Sequence, residues 1–105
     1  MPVIKVPPQI MVGAHPYRIV LRNSDRLTDE GVFGEVNHRT QTIEIRADRP
    51  PSQCLVSLLH EFIHTSANVF SKDGLEEKFI DPIAQGLGQI LSQLGIELDW
   101  TEVKE

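Results

Sequence analysis

Cysteine is nearly absent from this chain of 105 residues, and its scarcity excludes a disulfide-stabilised fold. Cys54 stands alone, so no cross-link can form within the chain. A free cysteine is usually a small buried residue, which is our expectation for Cys54 at the start of a helix. The first five residues also lack the basic region, apolar block and cleavage site of a signal peptide. These absences predict a cytoplasmic protein.

Long apolar runs are missing as well. None approaches the roughly 20 residues that a membrane-spanning helix requires, so no membrane association is expected. Hydrophobic residues make up 40% of the sequence and charged residues 24%, which is ordinary for a globular protein. A chain of this length favours one domain, residues 1–105, with a single modest core.

Basic residues are fewer than acidic ones. Lys and Arg number 10 against 15 Asp and Glu, giving a formal net charge of -5. Binding to nucleic acid needs clustered cations, and the local group Arg39, Arg46 and Arg49 is typical of a solvated surface. Nucleic acid is therefore not an expected partner.

Strand patterns fill the first half of the chain. Residues 16–22 are rich in β-formers, and residues 32–37 and 42–46 look like two strands joined as a hairpin. Within 42–46, alternation of isoleucine with polar residues predicts a half-buried strand. The segment before Pro8 should be extended. Residues 23–31 should form a loop or a short helical turn, and residues 96–100 a short terminal strand or an ordered tail.

Two helices follow. Ser52 is a suitable N-cap for a largely buried helix ending near Ser66. After a loop at 71–74 comes a second helix, which Gly95 should end. Its apolar stripe, expected to be core first and a partner surface second, comprises Phe79, Ile80, Ile83, Ala84, Leu87, Ile90, Leu91 and Leu94. Pro82 predicts a kink, or a new helix capped by Asp81. The expected fold is α+β, a small antiparallel sheet covered by two helices.

The first predicted helix contains the sequence His60-Glu61-Phe62-Ile63-His64, an H-E-x-x-H motif. Residues four apart project from the same helix face, so both imidazoles can bind one tetrahedral zinc ion. Glu61 would lie beside the metal, where it can take a proton from an activated water. Such a motif arises by chance roughly once in several thousand windows. On a mostly apolar helix, where unpaired polar groups are costly, a metal site is favoured over ordinary core or surface histidines.

A catalytic zinc site needs a third protein ligand. Acidic residues downstream supply the candidates Asp73, Glu76, Glu77 and Asp81. Glu76 falls near the centre of the apolar stripe on a helical wheel. Glu77 lies at the edge of that stripe, four residues before Asp81, which could then orient a histidine ligand. The spacing alone leaves Glu76 and Glu77 open.

The chain resembles the minimal HExxH metallopeptidase-like proteins of bacteria and phages, which are related to the ImmA/IrrE group and the gluzincins. The resemblance covers about residues 31–95 and rests on segments 43–45, 58–64, 76–77 and 83–87. It implies a zincin-like fold whose third ligand is a glutamate on the following helix, with an acid four residues later. That favours Glu77 with Asp81 behind it, and Glu76 as the alternative.

Together, motif and resemblance predict a zinc-dependent metallopeptidase that acts on a protein or peptide with Glu61 as general base. In zincins an edge strand beside the metal aligns the substrate, and residues 42–46 are our candidate, with an ordinary sheet strand as an equally good interpretation. The alternative is a regulatory or interaction module of phage or mobile-element origin that keeps the metal site and acts on one partner or none. A metal-free structural domain is a third reading. Tyr17 should be a core residue rather than an oxyanion donor, and His15 and His38 should be surface or turn residues.

Overall fold

The computed structural model describes residues 3–22, 34–46, 50–71 and 75–103. The elements within these ranges, in chain order, are β1 (Val3–Lys5), β2 (Gln9–Val12), β3 (His15–Arg22), β4 (Gly34–Asn37), β5 (Thr42–Arg46), α1 (Pro51–Phe70), α2 (Glu77–Gln93) and β6 (Glu97–Asp99). The predicted loop at 23–31, the start of the strand at 32–33 and the candidate ligand Asp73 lie outside the described residues. The α+β class is confirmed.

The larger sheet has four strands in the order β2-β3-β5-β4. Strands β4 and β5 form the predicted hairpin, with Gly34 opposite Ile45 and Asn37 opposite Thr42. Strands β3 and β5 are parallel, however, and β1 pairs in parallel with β6 in a separate two-stranded sheet. The larger sheet is therefore mixed, with β2–β3 and β4–β5 antiparallel, rather than wholly antiparallel as expected. Side-chain alternation marks a strand without specifying the direction of its neighbour.

Strand β5 lies inside the sheet, so it is more deeply buried than its alternation predicts. Thr42 and Glu44 are buried along with Ile43 and Ile45. Long side chains from neighbouring strands cover the polar face, as Arg22 does when its Nε donates to Glu44 Oε1 at 3.2 Å. The predictions of a half-buried strand and of a substrate-aligning edge at 42–46 are both wrong. Among the strands that the structure describes, β2 and β4 form the edges of this sheet.

Helix α1 packs across the sheet and encloses the main core. It starts one residue before Ser52, with Pro50 at the N-cap position and no side-chain cap, and extends four residues beyond the predicted end at Ser66. A proline at the first helical position has a suitable φ and loses no helical hydrogen bond there. The core cluster, which includes Leu58 of α1, consists of Val6, Tyr17, Ile19, Ile43, Ile45, Leu58 and Val103.

Helix α2 packs mainly against α1, on the side away from the sheet. Its buried positions are Ile80, Ala84 and Gly88. A Cβ at Gly88 would lie 2.6 Å from Val56 Cγ2, so the two helices approach closely where α2 has no side chain. Pro82 lies inside the continuous helix, and the predicted new start at Asp81 is therefore wrong.

The larger apolar residues of α2 face solvent. Phe79, Ile83, Leu87, Ile90 and Leu94 are all exposed. The prediction that the whole stripe is core is therefore wrong. Ile80 and the small residues of the stripe lie against α1, because two closely packed helices leave little room for side chains between their axes. Neither described helix combines the length and apolarity needed to cross a bilayer.

Candidate metal centre

The two motif histidines lie one turn apart on α1 and face the same way. Their ring centroids are 4.9 Å apart, and His60 Nε2 lies 3.2 Å from His64 Nε2. Both rings are largely shielded from water, with side-chain exposures of 18% and 27%. The i, i+4 spacing thus brings two ring nitrogens to one point at the surface where α1 meets α2.

Glu77, the first residue of α2, completes the cluster. Its Oε1 lies 2.7 Å from His60 Nε2, and its Oε2 lies 2.6 Å from His64 Nε2. Each residue can offer one ligand atom, and these atoms fall within 4.8 Å of one another. The packing of α2 on α1 places Glu77 here, while its side chain keeps 63% of its surface in solvent.

The spacing of these atoms suits a small cation. Two nitrogens that bind tetrahedral zinc at about 2.0–2.1 Å lie about 3.3 Å apart, close to the separation seen between the two histidines. Each Nε2 lies within hydrogen-bond distance of a Glu77 oxygen as well as 3.2 Å from the other Nε2. A cation bound by the two nitrogen lone pairs and the carboxylate would take the place of these contacts. The residues present therefore fit a divalent metal.

Asp81 and Glu76 take different positions around this cluster. Asp81 Oδ1 lies 3.4 Å from His60 Nδ1, the ring nitrogen that faces away from the shared point. A carboxylate there can hold the ring with Nε2 free to bind metal. The Glu76 carboxylate instead pairs with Lys78 Nζ at 3.4 Å. The cluster thus includes Glu77 rather than Glu76, and metal binding by it stays a prediction.

Glu61 is buried on the sheet side of the histidines, with 6% of its surface exposed. Burial, the largest cause, raises the pKa of its carboxyl to about 7; the charge of His60 opposes this shift, and the charges of Glu77 and Glu35 add to it. Glu61 therefore lies close enough to the cluster for the charges of His60 and Glu77 to change its pKa. A bound cation would lower this pKa and favour the carboxylate.

Gly34 at the start of β4 is a feature of the site that sequence reasoning did not single out. A Cβ at this position would lie 3.1 Å from the Glu44 carbonyl oxygen and 3.5 Å from Glu61 Cγ. The absence of a side chain relieves a tight approach to β5, and the backbone of β4 at this position also lies beside Glu61. One glycine within a short strand pattern is the only signal in the sequence, and it does not identify the neighbour.

His38 also lies near the site, on the β4–β5 turn. Its Nδ1 is 3.1 Å from the Tyr17 hydroxyl oxygen, and its pKa is lowered by partial burial first and then by the charge of His64. The predictions that His38 and His15 are surface residues and that Tyr17 is core are confirmed. Cys54 is buried near the start of α1, as predicted.

No protein-family model matches the chain, and no curated protein or solved structure matches it significantly. The geometry of the described residues is therefore what defines the site: an α+β domain with a candidate metal cluster between two packed helices.

Proposed function

We propose that this chain binds one divalent metal ion, with zinc the best fit to a two-imidazole, one-carboxylate ligand set, and hydrolyses peptide bonds. The observation that carries the proposal is the convergence of His60, His64 and Glu77 on one point, with a buried carboxylic acid beside it. Three protein ligands leave a fourth position open, which is the pattern of catalytic rather than structural zinc sites.

In this proposal Glu61 carries the proton. A bound zinc ion supplies Lewis acidity, which makes water acidic enough to lose a proton near neutral pH. Glu61 takes that proton and later returns it to the leaving amine. Burial keeps the side chain in one place, and a bound cation would lower the pKa of the carboxyl so that it is ionised and can accept the proton.

Asp81 has a positioning role. By accepting a hydrogen bond from His60 Nδ1–H, it fixes the ring tautomer that leaves Nε2 available as a ligand. Glu77 and Asp81 lie one turn apart on α2, so one helix supplies both a ligand and the group that orients another ligand. The site is therefore built from the contact between α1 and α2.

Strand β4 is our candidate for aligning the substrate. It is an edge strand of the sheet, and Gly34 brings its backbone beside Glu61. An extended peptide that pairs with an edge strand has its backbone held by main-chain hydrogen bonds, independent of its side chains. A peptide bound along β4 would pass the proton carrier, which supports a peptide rather than a small molecule as the substrate class.

The test is metal binding and peptide cleavage measured on the same preparations. The metal-free protein is titrated with Zn²⁺ in a calorimeter, and the loaded protein is incubated with a mixed peptide library analysed by mass spectrometry. We expect one ion per chain and cleavage that the Glu61→Gln variant loses while still binding metal. Asn68→Gln, an exposed change on the same helix, is the matched control.

Two results would count against the enzyme. Cleavage by fully loaded Glu61→Gln protein would exclude Glu61 as the proton carrier. Stoichiometric zinc without cleavage of any library peptide would favour the alternative, a module that keeps the site and acts on a single partner or none. Absence of zinc binding would overturn both and favour a metal-free domain.

A further inference from the structure

The four-stranded sheet has a polar cavity of about 240 Å³ on the face that points away from α1. Its charged lining residues are Arg18 and Arg22 of β3, Glu35 of β4 and Glu44 of β5. Along each strand these residues alternate with residues that point into the core. The cavity is therefore separated from the metal cluster, which lies on the α1 side of the sheet.

The carboxylate of Glu44 is only half satisfied. The residue is 8% exposed, and its Oε2 has no hydrogen-bond partner among the described residues, whereas its Oε1 accepts from Arg22 Nε at 3.2 Å. A buried carboxylate oxygen without a donor is costly. Because the terminal torsion of a glutamate is broad, a small rotation turns Oε2 toward a group in the cavity. Glu44 therefore favours a ligand that brings a positively charged hydrogen-bond donor.

Glu35 lies directly opposite Glu44 in the register of β4 and β5, so the two side chains share one face of the sheet. Glu35 is exposed and forms no ion pair or hydrogen bond with the described residues. Like charges that face each other across two strands destabilise a sheet. Arg22 supplies one positive charge to this pair of carboxylates, which leaves one negative charge in excess. An ammonium group between the two carboxylates would balance it.

Arg18 supplies a positive charge at the other end of the cavity. It pairs with Thr42 of β5, which precedes Glu44 by two residues, roughly 7 Å along the strand. The Arg18 guanidinium forms no ion pair with the described residues. Two groups of opposite charge therefore lack partners in one cavity. Its volume is below the roughly 300–1,000 Å³ of pockets for drug-sized ligands, so it suits a molecule of a few heavy atoms.

We propose that this cavity binds a small zwitterion, a molecule such as a free amino acid that carries both an ammonium group and a carboxylate. The ammonium group donates to Glu44 and Glu35, and the Arg18 guanidinium donates to the carboxylate, in charge-assisted hydrogen bonds. Two such contacts, one of them exposed to water, predict a Kd on the order of 1 mM. The proposal is independent of any catalytic activity, because the metal cluster lies across the sheet.

Titration of isotope-labelled protein followed by nuclear magnetic resonance tests the proposal. The protein is kept metal-free, since a bound zinc ion would itself attract carboxylates and amines. Glycine, β-alanine and γ-aminobutyrate present the two charges at increasing separation, while ethylamine and propionate each present one. At least one zwitterion should shift the amide signals of Arg18, Glu35 and Glu44 with the expected Kd. The compounds with one charge should bind at least about 10-fold more weakly, because each loses one charged contact.

Three variants assign the contacts. Arg18→Gln and Glu35→Gln change exposed side chains, so both proteins should fold, as judged by circular dichroism, and each should bind the zwitterion at least about 10-fold more weakly. Glu44→Gln should lose binding as well, and the two exposed variants keep the test valid if its fold is disturbed. Glu76→Gln, on a side chain of α2 that is 72% exposed, is the control and should bind like wild type.

Three results would overturn the proposal. Unchanged spectra at concentrations about 50-fold above the expected Kd would show that no zwitterion of this series binds. Ethylamine or propionate that binds as tightly as the best zwitterion would exclude recognition of both charges. Undiminished binding by folded Arg18→Gln and Glu35→Gln, or signal changes confined to other parts of the chain, would place the ligand outside this cavity.

Discussion

The two faces of α2 differ in a way that hydrophobicity alone does not anticipate. The inner face packs on α1 through Ile80, Ala84 and Gly88, while larger apolar side chains on the outer face remain in solvent. The inner face also carries Glu77 and Asp81, which reach the histidines of α1. Close approach of two helices therefore does two things at once: it buries small residues and brings acidic groups within reach of the metal ligands.

The largest effect we expect distinguishes Glu77, on the inner face of α2, from the preceding residue, Glu76. Glu77→Ala should weaken zinc binding by about 2.5–4 kcal/mol, one ligand's share of the roughly 10–16 kcal/mol of a four-ligand site. Glu76→Ala should leave the affinity unchanged, because Glu76 pairs with Lys78 away from the cluster. Competition with a fluorescent chelator measures both. Equal losses in the two variants would place the third ligand elsewhere.

The burial of Glu61 should make the free energy of unfolding of the metal-free protein depend on pH. Folded Glu61 holds its proton up to a pKa of about 7, whereas the unfolded chain releases it near 4.5. Because the folded state binds more protons in this window, the free energy of unfolding falls as pH rises through it. The loss is complete above pH 7 and amounts to about 3 kcal/mol at most.

Urea denaturation in the presence of a chelator checks this effect. Glu61→Gln should be more stable than wild type at pH 8 and similar to it at pH 5. Glu76→Gln, on a side chain 72% exposed, serves as the control and should match wild type at both pH values. A constant difference between Glu61→Gln and wild type across the range would contradict a buried, protonated Glu61.

A smaller effect concerns Asp81, whose carboxylate lies beside His60 Nδ1, on the side of the ring away from the cluster. Asp81→Asn should reduce zinc affinity about 10-fold, in the lower range for groups that orient a ligand, because the amide no longer attracts the Nδ1 proton as a carboxylate does. The chelator competition used for Glu77 applies here too. A loss as large as that of Glu77→Ala would instead identify Asp81 as a direct ligand.

The smallest effects come from two glycines on opposite faces of α2, and they should have opposite signs. Gly88→Ala places a Cβ against Val56 and should destabilise the protein by about 1–2 kcal/mol. At Gly86→Ala the new Cβ meets no atom within 4 Å, and the variant should be more stable by about 0.5–1 kcal/mol. Thermal unfolding measures both. A destabilised Gly86→Ala variant would show that the outer face has contacts beyond those of the described residues.

Local patterns in the sequence were enough for much of the fold. Alternation and β-propensity located β3, the β4–β5 hairpin and β6, and helical periodicity located α1 and α2. The histidine pair also follows from local geometry, since residues four apart share a helix face in any fold. Strand order, strand direction and the interior position of β5 did not follow, because they depend on which segments meet.

The sequence by itself thus determined which residues could share a helix face and which segments could be strands, since both depend on the backbone repeat. Only the tertiary structure decided that Glu77 rather than Glu76 meets the histidines, that Gly34 passes beside Glu61, and that the large apolar side chains of α2 face outward. The position of Gly34 depends on the packing of α1 against β4, and the other two outcomes depend on the rotation of α2 about its axis. Close packing at Gly88 and Val56 sets that rotation, and a contact between distant residues leaves no periodic trace in the chain.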